Sequence, residues 1–505
     1  MRNSRSSDNP IGAVFTPLRW AKWLVQEFGI AQKWLNGATI CDPTAGEGVF
    51  VFALIDEAKA LGARIDEALL SHIFLIERSN HFIETFKRRF KVRQGVEFPA
   101  ANIVHADVVL DTLAIKADVL VGNPPWINFT DLEADYKEVL KPFFLQHGLI
   151  HNTQSLLLGA SRVDLAALII SKTVKSLLNR NGEAIFFIPL SLFLNDSAHA
   201  GFRKMAVKGT LFAVRAIYDF GDESVFDSVS ARFGVARFVR DAPNRYPVPY
   251  KVKKNGQWKE QYAAPLHGDG APLSVLDSEE SWIALKQFEP IAIRKDQSPR
   301  QGVNTCGAND VLVFKQYPSF LPDEYIYPLL TKEVFQHAGS EPKKYILLPY
   351  ERHSAKPLSE HTLRRCPQLW DYLNEHRSEL INRKGTLINS WIGKNAWWAC
   401  LGVGPYCFTP FKVVWEALGK KHFNPIVVGS FSGKPWQANQ ALHCFIPSHN
   451  LGDAEGLLKK LRNPLVERYL LSTRMAGTCN WAQPGRIKRL LRIVEEQLSL
   501  ELALG

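Results

Sequence analysis

The sequence predicts an α/β protein: a doubly wound sheet over its first half, followed by a mixed α+β domain. Three observations carry this. From Val14 to Arg240, short apolar runs alternate with amphipathic stretches, the pattern of strands and helices taking turns across a largely parallel sheet. Four of the early apolar runs each end in a polar or glycine-rich turn, at the carboxyl ends of strands where such sheets bind ligands. After Arg240 the alternation gives way to a stretch rich in Pro, Gly and Lys, the composition of a boundary.

The first strand expected is Ala38–Cys41, before Asp42-Pro43-Thr44-Ala45-Gly46-Glu47-Gly48. Ile73–Ile76 leads to Glu77, Asn102–His105 to Asp107, and Val119–Val121 to Asn123-Pro124-Pro125-Trp126. Helices fit between them: Val49–Lys59 follows the glycine turn, and His81–Phe90 sets apolar side chains near helical spacing beside basic ones. A longer helix, Leu165–Leu178, is expected to end at Asn179–Gly182 and feed the apolar strand Ala184–Ile188. Ala213–Asp219 and Ala231–Val239 read as two further strands around the loop Gly221–Ser230. The domains expected are residues 1–240, a linker over 241–273 with room for a hairpin, and residues 274–505. There is no internal repeat or low-complexity tract.

A chain of 505 residues exceeds one ordinary domain, and 46% hydrophobic with 22% charged residues is ordinary globular composition. The net charge of +11 favours a polyanionic partner, because each phosphate met by Lys or Arg releases a condensed counterion. Most of the excess lies from Asp241 onward, together with Trp391, Trp397, Trp398, Trp415 and Trp436. Basic residues among aromatics suit a surface that grips a backbone and stacks on bases, although core packing is the plainer reading for most of these rings. Seven cysteines without CxxC pairs or Cys/His ligand spacing suggest reduced thiols. The start MRNSRSSDNP lacks the apolar core of a signal peptide, and no run reaches the length of a membrane span. The expectation is a soluble cytoplasmic protein.

The candidate chemistry sits at the strand ends. Glycines in the Asp42–Gly48 turn let a backbone approach a ligand, and the following helix offers unpaired N–H groups; a tight turn with no ligand is the alternative. Glu77 stands where an acid accepts from ribose hydroxyls, and Asp107 where a carboxylate accepts from an adenine amino group. Singly, each could be a solvated strand-end acid. Asn123-Pro124-Pro125-Trp126 is the most specific signal. An exocyclic amine on an aromatic ring is a poor nucleophile because its lone pair is delocalised. Two acceptors, the Asn123 side-chain oxygen and the Pro124 carbonyl, would return electron density to that nitrogen. The prolines fix the backbone, and Trp126 offers a flat face for a base taken out of its stack.

In this order the motifs resemble the DNA amino-methyltransferases acting on adenine N6, specifically the gamma group, in which the cofactor motif precedes NPP[YFW]. Phe15-Thr16-Pro17 resembles that group's FTP element, which packs against the methionine part of S-adenosylmethionine (SAM), and Asp164-Leu165 resembles its next motif. Ser224-Val225-Phe226 through Ser230-Ala231 resembles the segment whose phenylalanine stacks on the flipped adenine. The resemblance implies a Rossmann-like SAM-dependent methyltransferase sheet. It implies SAM bound by Phe15, Thr16, Pro17, Asp42, Thr44, Ala45, Gly46, Gly48, Glu77, Asp107 and Asn123. Asn123, Pro124 and Trp126 become catalytic, with Trp126 and Phe226 sandwiching the base and no catalytic metal.

In the second half, Arg300–Asp310, Tyr327–Leu330 and Phe411–Trp415 resemble landmarks in the target-recognition regions of type IIG restriction–modification enzymes. The implied partner is double-stranded DNA, with restriction or defence-system subunits as further candidates. Two alternatives stand beside this reading. NPP[YFW] also serves enzymes that methylate protein glutamine or RNA guanine. Pro322-Asp323 followed by Glu341-Pro342-Lys343 spells the PD…ExK skeleton of a metal-dependent nuclease, although Pro342 stands where that skeleton wants a strand residue.

Overall fold

The computed structural model describes residues 15–150, 163–194, 198–221, 223, 225–226, 232–268, 270–335, 341–418, 422–473 and 482–494. The chain divides into two compact units, Met1–Lys286 and Gln287–Gly505.

The first unit is built on an 11-stranded sheet. Its strands are β1 (Ile40–Asp42), β2 (Ile73–Glu77), β3 (Ile103–His105), β4 (Ala117–Gly122), β5 (Leu178–Pro189), β6 (Ala206–Val207), β7 (Thr210–Asp219), β8 (Phe233–Arg240), β9 (Val248–Lys254), β10 (Gln257–Pro265) and β11 (Leu273–Leu276). They lie in the order β3-β2-β1-β4-β5-β8-β7-β9-β10-β11, with the short β6 paired to β7 alone. The first five run parallel. β8 is reversed between β5 and β7, and β9 is again parallel to β7. The α/β class expected from the sequence is therefore the one observed. Val119, Leu120 and Val121 on β4 and Ile185 to Ile188 on β5 are buried, as strands covered on both faces must be.

The helices of this unit include α1 (Leu18–Glu27), α2 (Ile30–Leu35), α3 (Val49–Ala60), α4 (Glu67–Leu70), α5 (Asn80–Gln94), α6 (Ala134–Gln146) and α7 (Leu165–Ser176). α3 and α5 begin within one residue of their expected starts. α5 buries Phe82, Ile83, Phe86 and Phe90 and turns its basic side chains outward. Gly48 caps α3 at φ +75°, and a Cβ there would come within 2.2 Å of the Phe86 ring. Glycine is thus required both for backbone conformation and for the seating of α5. The sequence reading had not anticipated α1, α2 and α6.

Three expectations are corrected. The stretch 241–273 is not a linker: it forms β9 and β10, a hairpin that extends the main sheet beyond β7. Asn255 and Gly256, at φ 49° and 79°, make its turn. Val248, Tyr250 and Val252 alternate along one face of β9 and are buried; Lys251 and Lys253 alternate on the other, over Tyr218 and Trp20, and gave the segment its linker-like composition.

 The second correction is Asn179–Gly182, which lies inside β5, where a register shift against β4 between Ala117 and Val119 absorbs it. The third is the domain boundary, which falls after Lys286 rather than in 241–273.

The second unit is mixed α+β. Arg300–Gln301, His443–Ser448, Phe411–Glu416 and Ile426–Val428 form a four-stranded antiparallel sheet, and Val313–Phe314, Tyr345–Leu347 and Ile326–Pro328 a three-stranded one. Trp397, Trp398, Trp415 and Trp436 are buried in this unit, so core packing accounts for these four rings. The buried Arg383 guanidinium donates to the carbonyls of Leu380, Thr305, Ala399 and Trp397, which fastens the Arg300–Asp310 segment to its neighbours. No helix among the described residues is long and apolar enough to cross a membrane.

Candidate active site

The carboxyl ends of β1 to β4 open on a cavity of about 1240 Å³ within the first unit. Phe15, Thr16, Asp42, Thr44, Ala45, Gly46, Glu77, Asp107 and Asn123 line it, as do Pro125 and Ile127. Of the residues singled out in the sequence, Pro17, Gly48, Pro124, Trp126 and Phe226 are not on its wall.

The glycine turn is tied to β2. Ala45 N–H donates to the Ile76 carbonyl at 3.0 Å and Gly46 N–H to Glu77 Oε2 at 2.8 Å. Glu77 Oε1 accepts from Ser79 N–H at 2.7 Å, so its carboxylate is held in place from two sides. Asp42 Oδ1 accepts from Thr44 N–H at 3.1 Å, while Asp42 Oδ2 and Thr44 Oγ1 are buried without a hydrogen-bond partner among the described residues. Burial pushes the Asp42 carboxyl up to about 8. Buried polar atoms without partners are costly. Two such atoms on the wall of one cavity therefore suit a ligand that brings donors of its own.

Asp107 is engaged more fully than the sequence implied. Its Oδ1 accepts from Val109 N–H at 2.9 Å, its Oδ2 from the Tyr136 hydroxyl at 2.8 Å, and Arg78 approaches to 3.7 Å. The Arg78 guanidinium also lies over the Tyr136 ring, 4.7 Å from its centre. Both residues line the cavity, and sequence reasoning missed both. Tyr136 stands on α6, outside any motif, and only folding brings it to Asp107.

Asn123 Nδ2 donates to Thr16 Oγ1 at 3.1 Å, joining the Phe15-Thr16-Pro17 element to the Asn123–Trp126 turn across 107 residues of chain. Beyond Trp126 the turn is pinned again. Leu165 N–H donates to the Ile127 carbonyl and Phe129 N–H to the Val163 carbonyl, both at 2.8 Å. Asp164 caps α7 by accepting from Ala166 N–H at 2.8 Å, and burial pushes its carboxyl up to about 7.

The expected sandwich is not the arrangement seen. Phe226 meets Trp126 edge-on at 5.2 Å with the rings perpendicular, and Trp126 stacks on Phe233 at 5.8 Å. Rings already in contact leave no slot for a base. Phe226 is buried against Phe187 and Phe233 as well, which makes it a core residue here. Ser224, Ser230 and Ala231 of that segment lie outside the described residues. In the second unit, Asp323 accepts from Tyr317 and Lys434. Among the described residues no three acidic, His or Cys side chains gather as a metal-binding group.

Residues 54–226 match the Eco57I restriction-modification methylase family. The matched region begins within α3 and takes in Glu77, Asp107, the Asn123–Trp126 turn and Phe226. No curated protein matches the chain. Among solved structures it is similar to the Type IIL restriction-modification enzyme MmeI in complex with DNA, at 14% identity and a TM-score of 0.49. That match covers 87% of this chain and 61% of MmeI, so the chain spans less than two thirds of that enzyme's length. It is also similar to DrdV in a DNA complex, at 14% identity and TM-score 0.46, covering 95% and 56% of the two chains. A type I restriction-modification methyltransferase subunit from Streptococcus thermophilus matches at 13% identity and TM-score 0.34, over 56% of this chain and 55% of that one.

Proposed function

We propose that this chain is a SAM-dependent DNA methyltransferase that transfers a methyl group to the N6 amino group of an adenine flipped out of duplex DNA. The observation that carries the reading is the Asn123–Trp126 turn at the end of β4, bonded through Asn123 to Thr16, on the rim of a cavity whose far wall is the glycine turn and Glu77. The methylase match over residues 54–226 supports it.

The cavity residues fit SAM. Glu77 and Asp42 are acceptors for its hydroxyl and ammonium donors, the Asp42–Gly48 turn admits close backbone approach, and Asp107 with Tyr136 borders the remaining volume. When bound, SAM supplies a methyl group activated by its sulfonium. Asn123 and the Pro124 carbonyl then accept from the target amine and raise electron density on its nitrogen. With SAM bound, the amine nitrogen would take its methyl group as the methyl–sulfur bond breaks, the thioether would leave, and the amine proton would pass to water. The turn, pinned on both sides, supplies positioning. Stacking of the base on Trp126 would require Phe226 or Phe233, both in contact with that ring, to move. The second unit, with its surplus of basic residues, serves as the target-recognition domain.

The test offers methyl-labelled SAM with unmethylated DNA, with RNA and with protein extract in separate reactions. Label entering DNA supports the reading. Label confined to RNA or protein assigns the same site to another substrate.

A further inference from the structure

The hairpin that replaces the expected linker ends at the edge of the sheet where the candidate active site opens. β9 is parallel to β7 and, through the reversed β8, to β5 and β4. Following the register from Gly122 through Phe186, Ala236 and Ile217 reaches Tyr250. Lys253 and Lys254 therefore lie three and four residues beyond the row of Gly122, as Pro125 and Trp126 do on their own strand. Four strand spacings separate the two positions, roughly 19 Å. A relay of rings runs from Trp126 to Trp258, the cross-strand neighbour of Lys253. Trp126 stacks on Phe233, Phe233 meets Phe220 at 5.8 Å, and Phe220 meets Trp258 of β10 at 5.5 Å.

The two faces of this hairpin differ. On one, Trp258 stacks on Trp23 of α1 at 5.4 Å, and its cross-strand neighbour Lys253 lies over Trp20 and bonds Glu223 at 3.0 Å. A Cβ on Gly221 would meet the Lys253 carbonyl at 2.0 Å, so the loop bearing Phe226 leaves the sheet pressed against the hairpin. Alternation along the strands puts Lys254, Gln257 and Lys259 on the other face. Lys254 and Lys259 are exposed, and neither forms an ion pair among the described residues. Two exposed lysines, diagonal to each other on one face of a hairpin tip, suit a polyanionic backbone.

We propose that the Lys254–Lys259 hairpin tip is a phosphate-gripping element that contacts the backbone of the duplex whose base enters the site at Trp126. The proposal rests on the DNA reading above and adds a contact surface within the catalytic unit itself. At about 3.4 Å per base step along a strand, the spacing places these contacts five or six steps from the target base.

The test measures binding of the full chain to a short unmethylated duplex of mixed sequence by fluorescence anisotropy across a salt series. Replacing both residues, K254Q with K259Q, is expected to lower the slope of log K against log salt by about 2, one unit for each lysine. Affinity for SAM stays unchanged, and K254R with K259R restores the slope. In the unaltered chain, an amine-reactive reagent should modify Lys254 and Lys259 less when duplex is present. A slope unchanged in the glutamine variant, or labelling of both lysines unaffected by duplex, overturns the proposal while leaving the methyltransferase reading intact. An unaltered chain that binds no duplex overturns the DNA reading and the hairpin proposal with it.

Discussion

Asp42 and Asn123 stand at the two ends of the proposed transfer, and each makes a separate prediction. The folded Asp42 carboxyl titrates at about 8, above the ordinary value of about 3.9. Between those limits the folded chain keeps a proton that the unfolded chain has released, so stability falls as pH rises through that window. Asp42→Asn keeps an oxygen for Thr44 N–H and removes the ionisation. Thermal melts of the ligand-free protein should therefore show the variant gaining on the unaltered chain from about pH 4 to 8; a constant difference would contradict the burial argument. Asn123→Ala should cut transfer by about 100-fold or more, as loss of one charge-stabilising contact does, read from initial rates with methyl-labelled SAM. These residues were legible because each ends a strand next to a recognisable turn. Tyr136 and Arg78 were not, because their relation to Asp107 exists only across elements that no local pattern connects.

At the scale of elements, Trp126 and Phe226 separate two accounts of the same ring. Buried against Trp126, Phe187 and Phe233, Phe226 should cost about 3 kcal/mol of stability when replaced by Ala, read from urea unfolding. A variant of unchanged stability with impaired transfer would instead return Phe226 to base stacking. The main strands could be read because buried parallel strands are continuous apolar runs. β9 and β10 were expected only as room for a hairpin within a linker, because Lys, Pro and Gln outnumber their buried residues. Asn255-Gly256, flanked by the alternating β9, was the signal available. α1 lies between Pro17 and Gly29, and α6 holds Pro142 within it; their buried faces became visible only against α3 and Phe129.

At the scale of the whole molecule, the division after Lys286 predicts which fragments fold. A chain ending at Lys286 keeps the complete sheet and should unfold in one cooperative transition. One ending at Arg240 loses β9 to β11, bares the β7 edge and strips Trp258 from Trp23; it should aggregate or melt broadly, as seen by circular dichroism and light scattering. Equal behaviour of the two would restore the linker. Within the second-unit landmarks Val303, Tyr327, Val413, Val414 and Trp415 are buried, while Gly307, Asn309 and Asp310 are exposed. The central claim is adenine methylation in DNA. Its most direct test digests DNA treated with the protein and methyl-labelled SAM to nucleosides, with Asn123→Ala in parallel. The account predicts label in N6-methyladenine that the variant does not produce; label in another nucleoside, or equal N6-methyladenine from both proteins, would contradict it.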